Sequence, residues 1–140
     1  MGQQQLLLLV LGIVIVGLAV VVGIQAFGEN QKKANADALV NDGVRIASDM
    51  QAWVLKPTAF GGGNGSFGGV TFADLGYEST AGVYTNLNGA FELAASGAGQ
   101  LITGTSVGSE GNTVYVRVCG TDPADITTQV NSASAPSACS

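Results

Sequence analysis

Residues 6–24, LLLLVLGIVIVGLAVVVGI, decide the architecture of this chain of 140 residues. All nineteen are Leu, Val, Ile, Ala or Gly, and none has a polar or charged side chain. A helix of that length is ~28 Å long, close to the ~30 Å hydrocarbon thickness of a bilayer. The segment therefore predicts a membrane-spanning helix near the start of the chain.

The helical pattern continues beyond this segment, although its apolar character becomes one-sided. Apolar positions recur at steps of three and four: Leu39, Gly43, Ile46, Met50 and Trp53, with Val40 widening the stripe. This spacing is typical of an amphipathic helix with one buried face. Pro57 disfavours helical geometry at Lys56 and ends the helix. We therefore predict one helix over about residues 3–56, with a bend or local melting at Gly28.

The remainder of the chain indicates a small sheet. Residues 60–69, FGGGNGSFGG, have the composition of a flexible connector and lack a phosphate-binding pattern. Short β-prone segments then alternate with turn sequences, namely residues 83–85, 90–93, 100–106 and 113–119. In the last segment Val114, Val116 and Val118 alternate with other residues, which predicts one buried face.

The first pair of these segments predicts a hairpin, with Asn88-Gly89 supplying positive φ angles in its turn. The amphipathic half of the helix offers the long apolar surface against which a sheet can pack. We therefore predict an α+β fold in which one long amino-terminal helix packs against an antiparallel sheet of three or four strands.

Two cysteines, Cys119 and Cys139, flank a tail whose composition alone is that of a disordered segment. A disulfide between them would close a loop of about twenty residues and add ~3 kcal/mol of stability by the chain-entropy estimate. Two free thiols or a metal pair are the alternatives, although two cysteines in a chain without histidine make a poor zinc site. The disulfide is the favoured prediction, and it places the sheet outside the cytoplasm.

Catalytic chemistry is not indicated by these residues. The chain has no histidine, so the commonest general base and metal ligand is missing, and its carboxylates show no acid/base spacing. After Pro57 there are six carboxylates and a single basic residue, Arg117. Such an acidic surface repels phosphate backbones. We therefore predict no enzyme activity, no cofactor or metal, and no nucleic-acid binding.

The order of these features resembles that of the type IV pilins and their pseudopilin relatives. The resemblance lies in a leader ending in Gly2, the apolar helix, its amphipathic continuation, the glycine-rich loop and the sheet with its carboxyl-terminal cysteine pair. It implies that a prepilin peptidase cleaves after Gly2, so that the mature chain begins at an N-methylated Gln3. Residues 1–2 would then be the prepilin leader.

The resemblance also implies a domain organisation and a set of functional residues. Residues 3–28 would form the membrane and filament-core helix, residues 29–56 its amphipathic half, and residues 57–140 the head with a disulfide-closed loop. The implied assembly residues are Leu6, Leu9, Gly12, Ile13, Val16, Gly17, Val20, Gly23, Ile24 and Phe27. The residues expected to pack head against helix are Leu39, Val40, Ile46, Met50, Trp53, Val114, Val116 and Val118.

The function implied is that of a major subunit of an extracellular helical filament serving adhesion or motility. The expected partners are further copies of the chain, the membrane before assembly, the pilus assembly machinery and the prepilin peptidase. Two other interpretations of the function remain. One is a single-pass anchored binding module, and the other is a minor pseudopilin of a secretion or DNA-uptake system.

Overall fold

The computed structural model describes residues Gly2–Ser140 and divides the chain into two units, Met1–Lys33 and Ala34–Ser140. Helix α1 comprises Gly2–Leu55, within one residue of the predicted bounds at each end. Helical structure is continuous through Gly28, so the local melting that we expected there does not occur.

Five strands follow the helix, one more than the largest number that we predicted. They are β1 Val83–Thr85, β2 Gly89–Ser96, β3 Gly99–Ser106, β4 Thr113–Val118 and β5 Ile126–Val130. They pair in sequence order, β1-β2-β3-β4-β5, and every pair is antiparallel. The predicted α+β class, one long amino-terminal helix packed against an antiparallel sheet, is confirmed.

The additional strand, β5, lies in the tail whose composition is that of a disordered segment. It pairs with β4 over its whole length, from Val118↔Ile126 to Val114↔Val130. Its sequence, ITTQV, is rich in the β-branched residues that favour strands. Local strand propensity therefore prevails over the Ser-, Thr- and Ala-rich composition of the surrounding tail.

The core of the unit Ala34–Ser140 lies between the one-sided half of α1 and the inner face of the sheet. Seven of the eight residues predicted to pack head against helix are buried in one apolar cluster, and Val40 is partly buried against it. Gly43 lies where the sheet approaches the helix closely, since an added Cβ would be 2.7 Å from Val116 Cγ2. The absence of a side chain at Gly43 thus lets the sheet pack close to the helix backbone.

The glycine-rich segment is not the flexible connector that its composition predicts, because it folds back onto the end of α1. The backbone N–H of Gly63 donates to Trp53 O at 3.1 Å, that of Asn64 to Lys56 O at 3.0 Å and that of Gly65 to Val54 O at 2.8 Å. Trp53 and Val54 lie in the last turn of α1, whose carbonyl groups have no partners further along the helix, and Lys56 directly follows it. The glycines permit this approach, since a Cβ on Gly63 would lie 2.5 Å from the Trp53 ring.

The β1–β2 turn also differs from the prediction. Neither Asn88 nor Gly89 has a positive φ. Instead, Asn86 Oδ1 accepts hydrogen bonds from the backbone N–H groups of Asn88 (2.9 Å) and Gly89 (3.0 Å). The Nδ2 groups of Asn86 and Asn88 both donate to Asp42 Oδ2, at 2.9 and 2.7 Å. A side chain therefore closes this turn, and the same residues attach it to the helix.

A second carboxylate of α1 holds the segment that precedes the sheet. The Tyr77 hydroxyl donates a hydrogen bond to Asp49 Oδ2. The Tyr77 ring lies edge-on to Phe72 and Tyr84 in an aromatic cluster. Partial burial, together with the hydrogen bond to Asp49, raises the pKa of Tyr77 to about 12.

We predict that Gly63→Ala destabilises the protein by roughly 1–3 kcal/mol, because its Cβ would overlap the Trp53 ring and Ser66 O. Gly68→Ala is the matched control, since the nearest atom to its Cβ is Ser66 Oγ at 3.4 Å. It should change stability by no more than ~0.5 kcal/mol. Denaturant unfolding of the full chain in detergent measures both, and equal stability of the two variants would contradict the packed loop.

We also predict that the protein loses stability as the pH rises from about 10 to about 12. Over this range the unfolded chain releases the Tyr77 proton at its ordinary pKa of ~10, whereas the folded protein retains it. Tyr77→Phe should lack this part of the pH dependence. Unfolding free energies of both proteins at several pH values provide the measurement, and identical slopes would show that Tyr77 is not the group responsible.

Candidate assembly surface

Residues Gly2–Lys33 expose their apolar side chains on all sides of the helix. Each residue from Gly2 to Lys33 is exposed, and the Leu, Val and Ile side chains of residues 6–24 are between 52 and 70% exposed. Monomeric soluble proteins rarely leave so large a contiguous apolar surface in contact with water. The helix is also long and apolar enough to cross a membrane. Its surface therefore requires either lipid or other protein around it.

Four glycines interrupt this surface without an evident role inside the folded chain. A Cβ added at Gly12, Gly17, Gly23 or Gly28 would meet nothing within 4 Å. Each glycine nevertheless costs the helix about 1 kcal/mol relative to alanine in water. In lipid or between packed helices, glycine allows a neighbouring backbone to approach closely. The four positions thus fit contact with another helix.

The glycines form two pairs around the helix. Successive residues of an α-helix are ~100° apart, so Gly12 and Gly23 lie within ~20° of each other, as do Gly17 and Gly28. The two pairs are ~140° apart. A helix with this arrangement presents two separate sides on which another helix can approach closely.

The ten predicted assembly residues occupy one sector of this surface. By the same helical geometry they lie within an arc of ~140°, bounded on each side by glycine. Equally exposed large residues occupy the opposite sector, among them Leu11, Ile15, Leu18 and Val22. The ten predicted assembly residues do not include these four, although the predicted filament-core helix, residues 3–28, contains them. The all-apolar composition of the segment is the signal that could have added them to the list.

The remaining predicted sites lie at the two ends of the chain. Gly2 and Gln3 are exposed residues of the first turn of α1, whereas Met1, the rest of the predicted leader, lies outside the described residues. Cys119 and Cys139 form the predicted disulfide, with Cα atoms 5.4 Å apart. Cys139 N–H also donates to Ser96 O at 3.1 Å, which places the tail beside the β2–β3 turn.

Arg117 holds the tail on the outer face of the sheet. Its Nη1 group donates to both the backbone oxygen and the hydroxyl oxygen of Ser137. Sequence reasoning treated Arg117 only as an isolated positive charge and did not foresee this contact. The disulfide and Arg117 therefore fix the last residues of the tail at two points, both provided by β4 or its carboxyl end.

The geometry of the described residues supports packing and membrane insertion. Within Gly2–Ser140 there is no group of three or more His, Cys, Asp or Glu side chains that could hold a metal ion. What these residues provide is an exposed apolar helix attached to a unit with its own core and disulfide. Compared with protein-family models, curated proteins and solved structures, the chain finds no match in any of the three.

Proposed function

We propose that this chain is the structural subunit of an extracellular helical filament of the type IV pilus kind. The observation that carries the proposal is the apolar surface of residues 6–24, which is exposed on all sides of the helix in a chain whose other unit has its own core. The layout of an amino-terminal apolar helix and a carboxyl-terminal disulfide is compatible with that of a pilin. Residues 3–28 would form the filament core and the unit Ala34–Ser140 its surface.

Assembly would transfer the apolar surface of residues 6–24 from lipid to the interior of the filament, so that this surface stays out of water throughout. In the unassembled subunit, lipid covers residues 6–24. In the filament, the same residues of neighbouring copies would cover one another. Keeping each large side chain out of water is worth ~1.5–3 kcal/mol, so a filament released from the membrane can persist. The glycine pairs would allow close packing between helices, which adds van der Waals contacts that lipid alone does not provide.

The disulfide supports the extracellular assignment. Disulfides form and persist in oxidising compartments, and the unit Ala34–Ser140 contains the Cys119–Cys139 bond. The acidic head would then face the medium. The prepilin peptidase acting at Gly2-Gln3 and the assembly machinery that moves subunits out of the membrane are the partners that the proposal requires.

A single-pass anchored binding module is the second candidate, and one observation favours it. The unit Ala34–Ser140 has a complete apolar core formed with its own part of α1. Such a unit could be displayed by residues 6–24 acting only as a membrane anchor. The two candidate functions assign different roles to the glycines. A filament uses them for close contacts between helices, whereas an anchor needs no such contacts.

Electron microscopy of material sheared from the surface of cells that produce the chain tests the proposal. We expect thin filaments, and mass spectrometry of the purified filaments should identify this chain as their main component, beginning at methylated Gln3. Recovery of the chain only as a monomer in detergent extracts of membranes, with Met1 intact, would instead support the anchor.

The paired variant Gly12→Leu/Gly23→Leu should reduce the yield of filaments at least tenfold. The added side chains prevent close backbone approach on one side of the helix but raise helix propensity and apolarity, so membrane insertion should be unchanged. Val22→Leu is the control, because this residue lies ~80° or more from either glycine pair. Immunoblots of sheared and membrane fractions measure both quantities. A normal filament yield from the paired variant would show that close packing at these glycines is not needed for assembly.

A further inference from the structure

Two turns of the sheet lie against the first helical turn of the unit Ala34–Ser140. Asn35 Nδ2 donates to Asn88 O of the β1–β2 turn at 3.0 Å. Asn112 Nδ2, at the end of the β3–β4 turn, donates to Asn35 Oδ1 at 3.0 Å. Both turns therefore lie at the end of this unit where the chain arrives from residue 33.

Two large apolar side chains project into solvent from these turns. Leu87 in the β1–β2 turn is fully exposed, at 103%, and Val107 at the start of the β3–β4 turn is 62% exposed. Glu110, in the β3–β4 turn, adds a carboxylate at the same end. We call Leu87, Val107 and Glu110 the turn surface.

The position of Leu87 is fixed by the residues on either side of it. Asn86 and Asn88 both donate to Asp42 Oδ2, and Asn86 Oδ1 accepts two backbone N–H groups of the turn. The leucine is thus held outward by a turn that is hydrogen-bonded to the helix. The backbone of this turn therefore has little conformational entropy left to lose when the leucine is covered.

A second copy of the chain offers a segment of matching chemistry. Residues 25–33, QAFGENQKK, contain Phe27, which is 68% exposed, and end in the basic residues Lys32 and Lys33. These two are the basic side chains of the unit Met1–Lys33, whereas the unit Ala34–Ser140 contains nine carboxylates and three basic residues. Residues 25–33 also contain one carboxylate, Glu29, so the segment is apolar with a net charge of +1, whereas the turn surface is apolar and acidic.

From this complementarity we infer that the turn surface of one copy packs on residues 25–33 of an adjacent copy. Leu87 and Val107 contact Phe27 of that copy, and Glu110 lies near its Lys33. The inference rests on the proposed filament, in which parallel helices of neighbouring copies are displaced along the axis by a heterologous contact. A bilayer surface is a poorer partner, because anionic lipids repel the carboxylate of Glu110.

Photo-cross-linking from position 87 tests the contact in filaments of the full chain. With p-benzoylphenylalanine in place of Leu87, irradiation should give a covalent dimer whose cross-linked peptide includes residues 25–33 of the second copy. The same probe at Leu55, an exposed leucine in the last turn of α1, should give no cross-link to that segment. A cross-link from position 87 to lipid, to another protein or to a different part of the second copy would overturn the inference.

A charge substitution provides the second test. Leu87→Lys removes the apolar contact and places a positive charge near Lys33 of the neighbour, so we expect at least a tenfold loss of sheared filaments. Leu55→Lys, the matched control, should leave the yield unchanged. Circular dichroism of the full-length variants in detergent checks that both are folded. If Leu87→Lys gives the wild-type yield of filaments, the inferred contact of the turn surface is refuted and the proposed filament is not. If the wild-type chain itself forms no filaments, the proposed function is refuted.

Discussion

One helix carries two apolar surfaces, and the chain's own sheet covers only one of them. Over residues 36–54 the apolar stripe is buried beneath β-strands that approach closely at Gly43, where Val116 occupies the space of a missing side chain. Over residues 6–24 the apolar surface extends around the whole helix and is exposed. Burial of the first surface stabilises the unit Ala34–Ser140, and the proposed filament depends on burial of the second.

Periodic patterns made the helix and its buried face predictable. The steps of three and four from Leu39 to Trp53 belong to the helix itself, and the alternation of Val114, Val116 and Val118 belongs to a single strand. Such patterns specify which side of an element is buried without reference to the rest of the fold. The disulfide was predictable for a different reason, since only two cysteines are available for pairing.

Features that depend on contacts between distant residues were not predictable in the same way. Residues 60–69 have a flexible composition, yet their backbone N–H groups bond to the end of α1, a partner that no local pattern reveals. The turn at Asn88-Gly89 has a sequence that favours positive φ, but Asn86 and Asp42 impose another geometry. For the candidate site, composition identified the apolar segment, whereas the exposure of Leu87 depends on how its turn is held.

The sequential order of the five strands bears on how the head reaches its folded state. Each strand pairs with the one before it in the chain, so strand pairing requires only short loops to close. Folds dominated by such local pairings form faster than those that must join distant segments. The Cys119–Cys139 bond, in contrast, needs a residue that follows every strand. The sheet can therefore form first, with the disulfide then locking a tail that β4 and β5 have already positioned.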